Sequence, residues 1–242
     1  MDAPIIQTDP QSAELIKYAS NSYLATRLSF VNTIATLCEQ GGGDASTVLA
    51  GMGLDHRIGQ AFLQPGPGWG GSCFPKDTKA LAAVARDKGA DTTLLDATLE
   101  ANEKRFDQVV SRLGEIFDQD LSGKKIAIWG LTFKAGTDDL RDSPSLEIAE
   151  RLLNLGAVVE GYDPMVQESP NKNIELSHSA LSAVSGADAL LVLTEWAEFV
   201  EVQAEDVVQH LNESVVFDVR GVLDEQSYLE AGANFIKVGF LK

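Results

Sequence analysis

"KKIAIWGLTFKAGTDDLRDSPSLEIAERLLNLGAVVEGYD" (residues 124–163) holds two short apolar runs, KKIAIWGL (124–131) and AVVEGYD (157–163). Between them, Ser145 to Leu155 carries apolar residues at helical spacing. Further short apolar runs follow at DALLVLT (188–194), SVVFDV (214–219) and NFIKVG (234–239). Strands alternating with helical segments predict a parallel sheet with crossover helices. A glycine between strand and helix also invites a test for a dinucleotide loop. The test fails: G-x-G-x-x-G is absent, and Gly130 and Gly136 stand six residues apart. Asp163, at the end of the second run, reads either as a ribose-binding acid or, more often for "YDP", as a turn. Lys134 and Arg141 are offered to anionic groups.

Upstream of residue 120 no strand pattern occurs. Ser12 to Gln40 reads as one long helix, with Leu15, Ile16, Ala19, Leu24, Leu28, Val31, Ile34 and Leu37 near a helical period. Asp9-Pro10 starts it and Gly41-Gly42-Gly43 ends it. A short helix over 44–53, a glycine-rich loop and a helix from about Pro75 to Lys88 follow. A polar helix over roughly 94–118 reads as a spacer. The expected fold class is therefore α/β, with an all-helical domain (1–118) joined to a Rossmann-like parallel domain (119–242).

The formal net charge of −17 on 242 residues argues against nucleic acid as a partner, because phosphate backbones are repelled. Any phosphate-bearing ligand needs locally clustered Lys or Arg. No apolar run is long enough for a membrane span and no leader pattern opens the chain. Two cysteines make no disulfide framework, so a reducing cytoplasm is expected. His56, His178 and His210 are scattered, and no metal site is expected.

Three stretches carry chemistry. In "GWGGSCFPKD" (68–77), Cys73 stands where Pro75 starts a helix. The positive end of a helix favours a thiolate, and the thiolate is the nucleophile. Lys76 adds positive charge, Asp77 lies one turn on, and glycines 66, 68, 70 and 71 would let backbone approach a ligand closely. Spacing alone leaves two readings open for Cys73: a covalent nucleophile, or a small buried residue. Cys38, mid-helix on the apolar side, has only the second. In "KYASNSYLATR" (17–27), Lys17 and Asn21 share a helix face, where an amine and an amide can hold an oxyanion or water, or form an ordinary solvated face. The apolar neighbours Ala13, Leu24 and Leu28 suggest partial burial of Lys17. The third stretch is "GLTFKAGTDDLRDSP" (130–144), the loop after the first strand.

Together these stretches resemble the nucleotide-sugar 6-dehydrogenases (the UDP-glucose/GDP-mannose 6-dehydrogenase family), most closely the UDP-glucose branch. "AELIKYASNSYLATRLSFVN" is similar to the family's central helix and "GPGWGGSCFPKDTKAL" to its catalytic-cysteine segment. "GLTFKAGTDDLRDSPSLEI" is similar to the opening of its C-terminal domain, and "LLVLTEWAEF" and "FDVRGVLD" follow in family order. The resemblance implies an NAD-dependent, two-step oxidation of a sugar C6 alcohol, UDP-glucose to UDP-glucuronate, through a Cys73 thiohemiacetal and thioester. Lys17 and Asn21 would support oxyanions and water, and Asp77 would assist the thiol. It implies substrate contacts at Phe62, Leu63, Gly70, Phe133, Lys134 and Arg220. It also implies contact from Arg57 toward a neighbouring subunit's substrate, and cofactor contacts at Lys76 and Arg141. Without the resemblance, Arg57 reads as a surface salt bridge. The family dimerises in the region of the long helix. Its NAD-binding domain with G-x-G-x-x-G is missing here, so the resemblance implies a fragment that is inactive alone. The alternatives are a GDP-mannose or other nucleotide-sugar enzyme, a non-catalytic sugar-nucleotide-binding or dimerisation module, and an unrelated thiol enzyme. The last is disfavoured by the lack of a His partner.

Overall fold

The computed structural model describes residues 4–240. The chain opens with α1 (Pro10–Gly41), α2 (Ala45–Gly53), α3 (Phe74–Asp87) and α4 (Thr93–Ile116). It continues as β1 (Lys125–Trp129), α5 (Pro144–Asn154), β2 (Val158–Tyr162), β3 (Ile174–Leu176), α6 (Ala180–Val184), β4 (Ala189–Val192), α7 (Ala197–Glu201), α8 (Ala204–His210), β5 (Val215–Asp218), α9 (Glu225–Glu230) and β6 (Asn234–Lys237). The start of α1 is set by Asp9, whose carboxylate accepts from the Ser12 amide at 2.8 Å, with Pro10 in the first turn. Its end is set by Gly42 in the left-handed region at φ 78°.

All pairings in the six-stranded sheet are parallel, in the order β3-β2-β1-β4-β5-β6. This is the doubly wound order, as the alternation predicts. Every residue of β4 and β5 is buried, as befits strands covered on both faces. One face packs Ile126, Ile128, Ile148, Leu152 and Phe217 together. The other packs Trp129, Phe199, Val216, Tyr228 and Phe235. A third, smaller core of Val31, Ala35, Cys38, Leu49 and Leu63 lies in the helical part, with Cys38 buried as expected.

Two expectations are corrected. The fold has one strand more than its apolar runs indicate: β3 is a three-residue edge strand, too short to show a pattern. And α4 is no spacer. Its Phe106, Val109, Val110 and Leu113, at 3–4-residue intervals, are buried in the same core as β1 and α5. This stripe is masked by the charged residues around it, but it is the right width to cover a sheet face. Arg151 on α5 reinforces the contact by bonding both Asp107 (2.8 Å) and Glu103 (3.0 Å) on α4.

Candidate active site

The site is built where α3 packs on α1. Pro75 pre-sets the first turn of α3, and Cys73 is its N-cap residue, exposed, with Sγ 3.7 Å from Ser72 Oγ. One turn further on, the side chain of Asp77 is 0% exposed. Its Oδ2 accepts from Lys17 Nζ and from Asn21 Nδ2, both at 2.6 Å, and its Oδ1 from Lys76 Nζ at 2.5 Å. The i, i+4 spacing on α1 thus puts Lys17 and Asn21 on one carboxylate oxygen. Burial by itself would raise the Asp77 pKa. The bonds from Lys17, Lys76 and Asn21 outweigh it and hold the carboxyl far below the usual range. Lys17 is 59% exposed, not partly buried as its apolar neighbours suggest. The Asp77 carboxylate is turned to α1, and its link to Cys73 is a backbone bond, Asp77 N–H to the Cys73 carbonyl at 2.8 Å.

Two cations lie within electrostatic reach of the thiol. The Lys76 pKa is raised, first by its bond to Asp77, with the Cys73 charge also contributing. Arg141, bound to Asp139 Oδ2 at 2.7 Å, is raised chiefly by that bond and in part by Cys73. The same pair lowers Asp139 to about 2. The loop after β1 therefore brings Arg141 within electrostatic reach of a residue on a different element.

The glycines also permit close packing within the chain. A Cβ at Gly70 would lie 1.9 Å from the Asp142 carbonyl oxygen, one at Gly71 2.7 Å from the Phe133 ring, one at Gly68 2.5 Å from Phe106 and one at Gly66 2.8 Å from Arg220. Through these close approaches the loop interlocks with α4 and with the loops at the carboxyl ends of the strands.

A buried polar clamp, unforeseen in the sequence, holds this loop. Asn102 on α4 accepts from Trp69 N and donates to Trp69 O, each at 2.9 Å. Asn32 on α1 accepts from Gly66 N, Arg105 Nε donates to Gly66 O, and Trp69 Nε1 donates to Ser29 Oγ, all at 2.9 Å. Burial lowers the Arg105 pKa to about 10, so the guanidinium stays charged at neutral pH. The signal available was polar residues at core-facing positions of two amphipathic helices, which need partners when buried.

Of the remaining candidates, Phe62, Phe133 and Arg220 lie against the glycine-rich segment that carries Cys73. Leu63, buried, and Arg220, which donates to Glu195, line a cavity of about 320 Å³ together with Gln64 and Pro65. Phe62 has φ 56° and is half-exposed, its ring 6.5 Å from that of Phe74. Lys134 Nζ sits 5.5 Å from the centre of the Phe133 ring. Arg57 is exposed and paired with Asp55 at 2.6 Å, in a loop tied to α1 by Arg27 bonds to the Ile58 and Gly59 carbonyls. Within one chain it forms the surface salt bridge and stands apart from the Cys73 cluster.

No dinucleotide cradle fits at β1. Asp163 is a turn residue and more: its Oδ1 accepts from Met165 N, and its buried Oδ2 accepts from Leu131 N, Thr132 N, Thr132 Oγ1 and Trp196 Nε1. A Cβ at Gly130 would sit 2.3 Å from Thr194. At the point where this sheet order places ligands, the ends of β1 and β4 are therefore closely packed at Gly130 and Thr194. Among the described residues there is no cluster of His, Cys, Asp and Glu able to hold a metal ion, and no helix is long and apolar enough to cross a membrane.

Comparison with known proteins places this arrangement. Residues 11–104 match the central domain, and residues 127–225 the UDP binding domain, of the UDP-glucose/GDP-mannose dehydrogenase family.

The chain belongs to that family.

It is 40% identical over 242 residues to a UDP-glucose 6-dehydrogenase of Rickettsia bellii, covering 98% of this chain and 56% of the relative. Among solved structures, a UDP-glucose dehydrogenase from Pyrobaculum islandicum superposes with a TM-score of 0.87 at 32% identity, covering 100% of this chain and 54% of that one. A UDP-D-ManNAc dehydrogenase from Pyrococcus horikoshii superposes with 0.83 at 27% identity, covering 98% and 54%. The chain thus spans about half the length of the family members it matches.

Proposed function

We propose that this chain is the thiol-bearing and substrate-binding part of a nucleotide-sugar 6-dehydrogenase acting on UDP-glucose, with residues 1–118 as its central domain and 119–242 as its UDP-sugar domain. The observation that carries the reading is an exposed thiol at the start of α3, one turn from a buried carboxylate that fixes Lys17 and Asn21. In such a site the Cys73 thiolate adds to the C6 aldehyde of the sugar, forming the C–S bond of a thiohemiacetal. Lys17 and Asn21, held by Asp77, stabilise the oxyanion that forms. Water later releases the acid by cleaving the thioester carbonyl–sulfur bond. The two oxidations between alcohol and thioester need a hydride acceptor, NAD in this family. The close packing at the end of β1 speaks against a dinucleotide cradle there, and on this reading no turnover is expected from this chain by itself.

A homodimer through α1 belongs to the same reading. Ile16, Tyr23, Phe30 and Leu37 recur every seven residues and are each more than half exposed, forming an uncovered apolar line along α1. The likeness to the UDP-D-ManNAc dehydrogenase favours a second reading, in which the sugar is another UDP-hexose. Calorimetric titration with UDP-glucose, UDP-N-acetylmannosamine and NAD separates these readings. The expected result is heat with UDP-glucose, none with NAD and no NADH formed. Binding of NAD without any UDP-sugar overturns the assignment, and a clear preference for the N-acetyl sugar favours the second reading.

A further inference from the structure

Resting on the nucleotide-sugar reading above, we propose that Lys237 is a diphosphate-binding residue, a second cation beside Arg220 in the cavity under the glycine-rich loop. Lys237 ends β6 and pairs in register with Asp218, the last residue of β5; Arg220 follows two positions later. The two cations therefore leave the carboxyl ends of adjacent parallel strands, the end at which open α/β sheets bind ligands. Both line the cavity of about 320 Å³ closed by Leu63, Gln64 and Pro65. That volume lies in the range of small-ligand sites, roughly 300–1,000 Å³.

The charge pattern singles out the lysine. Arg220 already shares its charge with Glu195. The Asp218 carboxylate faces away from solvent and is spent on the Arg220, Gly221 and Leu223 amides. Lys237 is half-buried and its side chain, among the described residues, makes no hydrogen bond or ion pair. Its stem passes Gly221, where a Cβ would come within 3.7 Å of its Cε. A partly desolvated ammonium without a counter-charge is unfavourable, and an anion entering the cavity relieves it. In a chain of net charge −17, such an uncompensated cation beside an arginine is what a phosphate-bearing ligand requires.

The test compares the 242-residue chain with Lys237→Gln and Lys237→Arg by calorimetry against UDP, UDP-glucose and uridine. The expected result is about tenfold weaker UDP and UDP-glucose binding for Lys237→Gln, a smaller salt dependence than wild type, and recovery in Lys237→Arg, with uridine unaffected. Because the side chain has no protein partner, thermal midpoints should stay together, and the arginine variant carries the comparison if the glutamine variant misfolds. UDP binding within twofold of wild type in Lys237→Gln, or an equal loss for uridine, overturns the role of Lys237 while leaving the substrate reading intact. Failure of the wild-type chain to bind UDP or any UDP-sugar overturns both.

Discussion

Replacing Gly70 by alanine tests whether the loop before Cys73 is locked by the protein's own packing. The added Cβ would lie 1.9 Å from the Asp142 carbonyl oxygen and 2.7 Å from Pro144 Cδ, whereas ordinary contact begins at 3.4 Å. Neither neighbour can swing aside: one is main chain and the other a proline ring in the first turn of α5. Asp142 is already at φ 47°, in the left-handed region, and its carbonyl accepts from Gly71 N at 3.3 Å. Overpacking of this kind costs about 1–3 kcal/mol. Losing the Gly71 bond adds about 1 kcal/mol. A loss near 3 kcal/mol corresponds to a fall of roughly 6–12 °C in unfolding midpoint for a chain of this size. Gly51→Ala in α2 is the control. No atom lies within 4 Å of its added Cβ, so it should stabilise by about 0.5–1 kcal/mol. Thermal and urea unfolding followed by circular dichroism measure both. A Gly70→Ala midpoint within 1–2 °C of wild type, by the same scale, would refute the interlock.

Cys73, exposed at the head of α3, should be alkylated at least tenfold faster than buried Cys38, read by mass spectrometry; equal rates would remove Cys73 as the nucleophile. The Asp77 carboxyl titrates lower folded than its unfolded value of 3.8, so its stabilisation is full above that value and is lost as pH falls below it. The urea-midpoint gap between wild type and Asp77→Asn should therefore be open at pH 7 and narrow progressively below about pH 4; a gap that widens on acidification has the wrong sign. Asn102→Leu strands both the amide and the carbonyl of Trp69 in a buried site and should cost about 2–4 kcal/mol in urea unfolding; a change under about 0.5 kcal/mol would dismiss the clamp. Light scattering should give twice the chain mass of 26.0 kDa, reduced to one chain in Tyr23→Glu/Phe30→Glu; a constant single-chain mass in wild type excludes the α1 interface.

What was legible in the sequence was whatever repeats at a local period. The doubly wound order followed from strands alternating with helices, and the place of Cys73 at a helix start from Pro75 two residues on. Lys17 and Asn21 were readable as one face because their relation is a helical turn. What they serve was not: Asp77 is the counter-charge that fixes both α1 donors, and only the packing of α3 on α1 reveals it. The same holds for Asp163, whose turn geometry is local but whose four further donors come from the β1 loop and from Trp196. Polarity averaged over α4 concealed a stripe of four core residues.

The glycine-rich loop shows most clearly why local reading stops short. A glycine announces that something passes close, not what. Here Gly66, Gly68, Gly70 and Gly71 meet Arg220, Phe106, Asp142 and Phe133, contributions from three separate places in the chain: the loop after β5, α4 and the loop after β1. The helical part and the sheet are joined through the very segment that carries Cys73. The thiol's surroundings are thus set jointly by α1, α4 and the strand-end loops. A substitution that loosens any of these contacts should move Cys73 relative to Lys76 and Arg141 without touching the site itself.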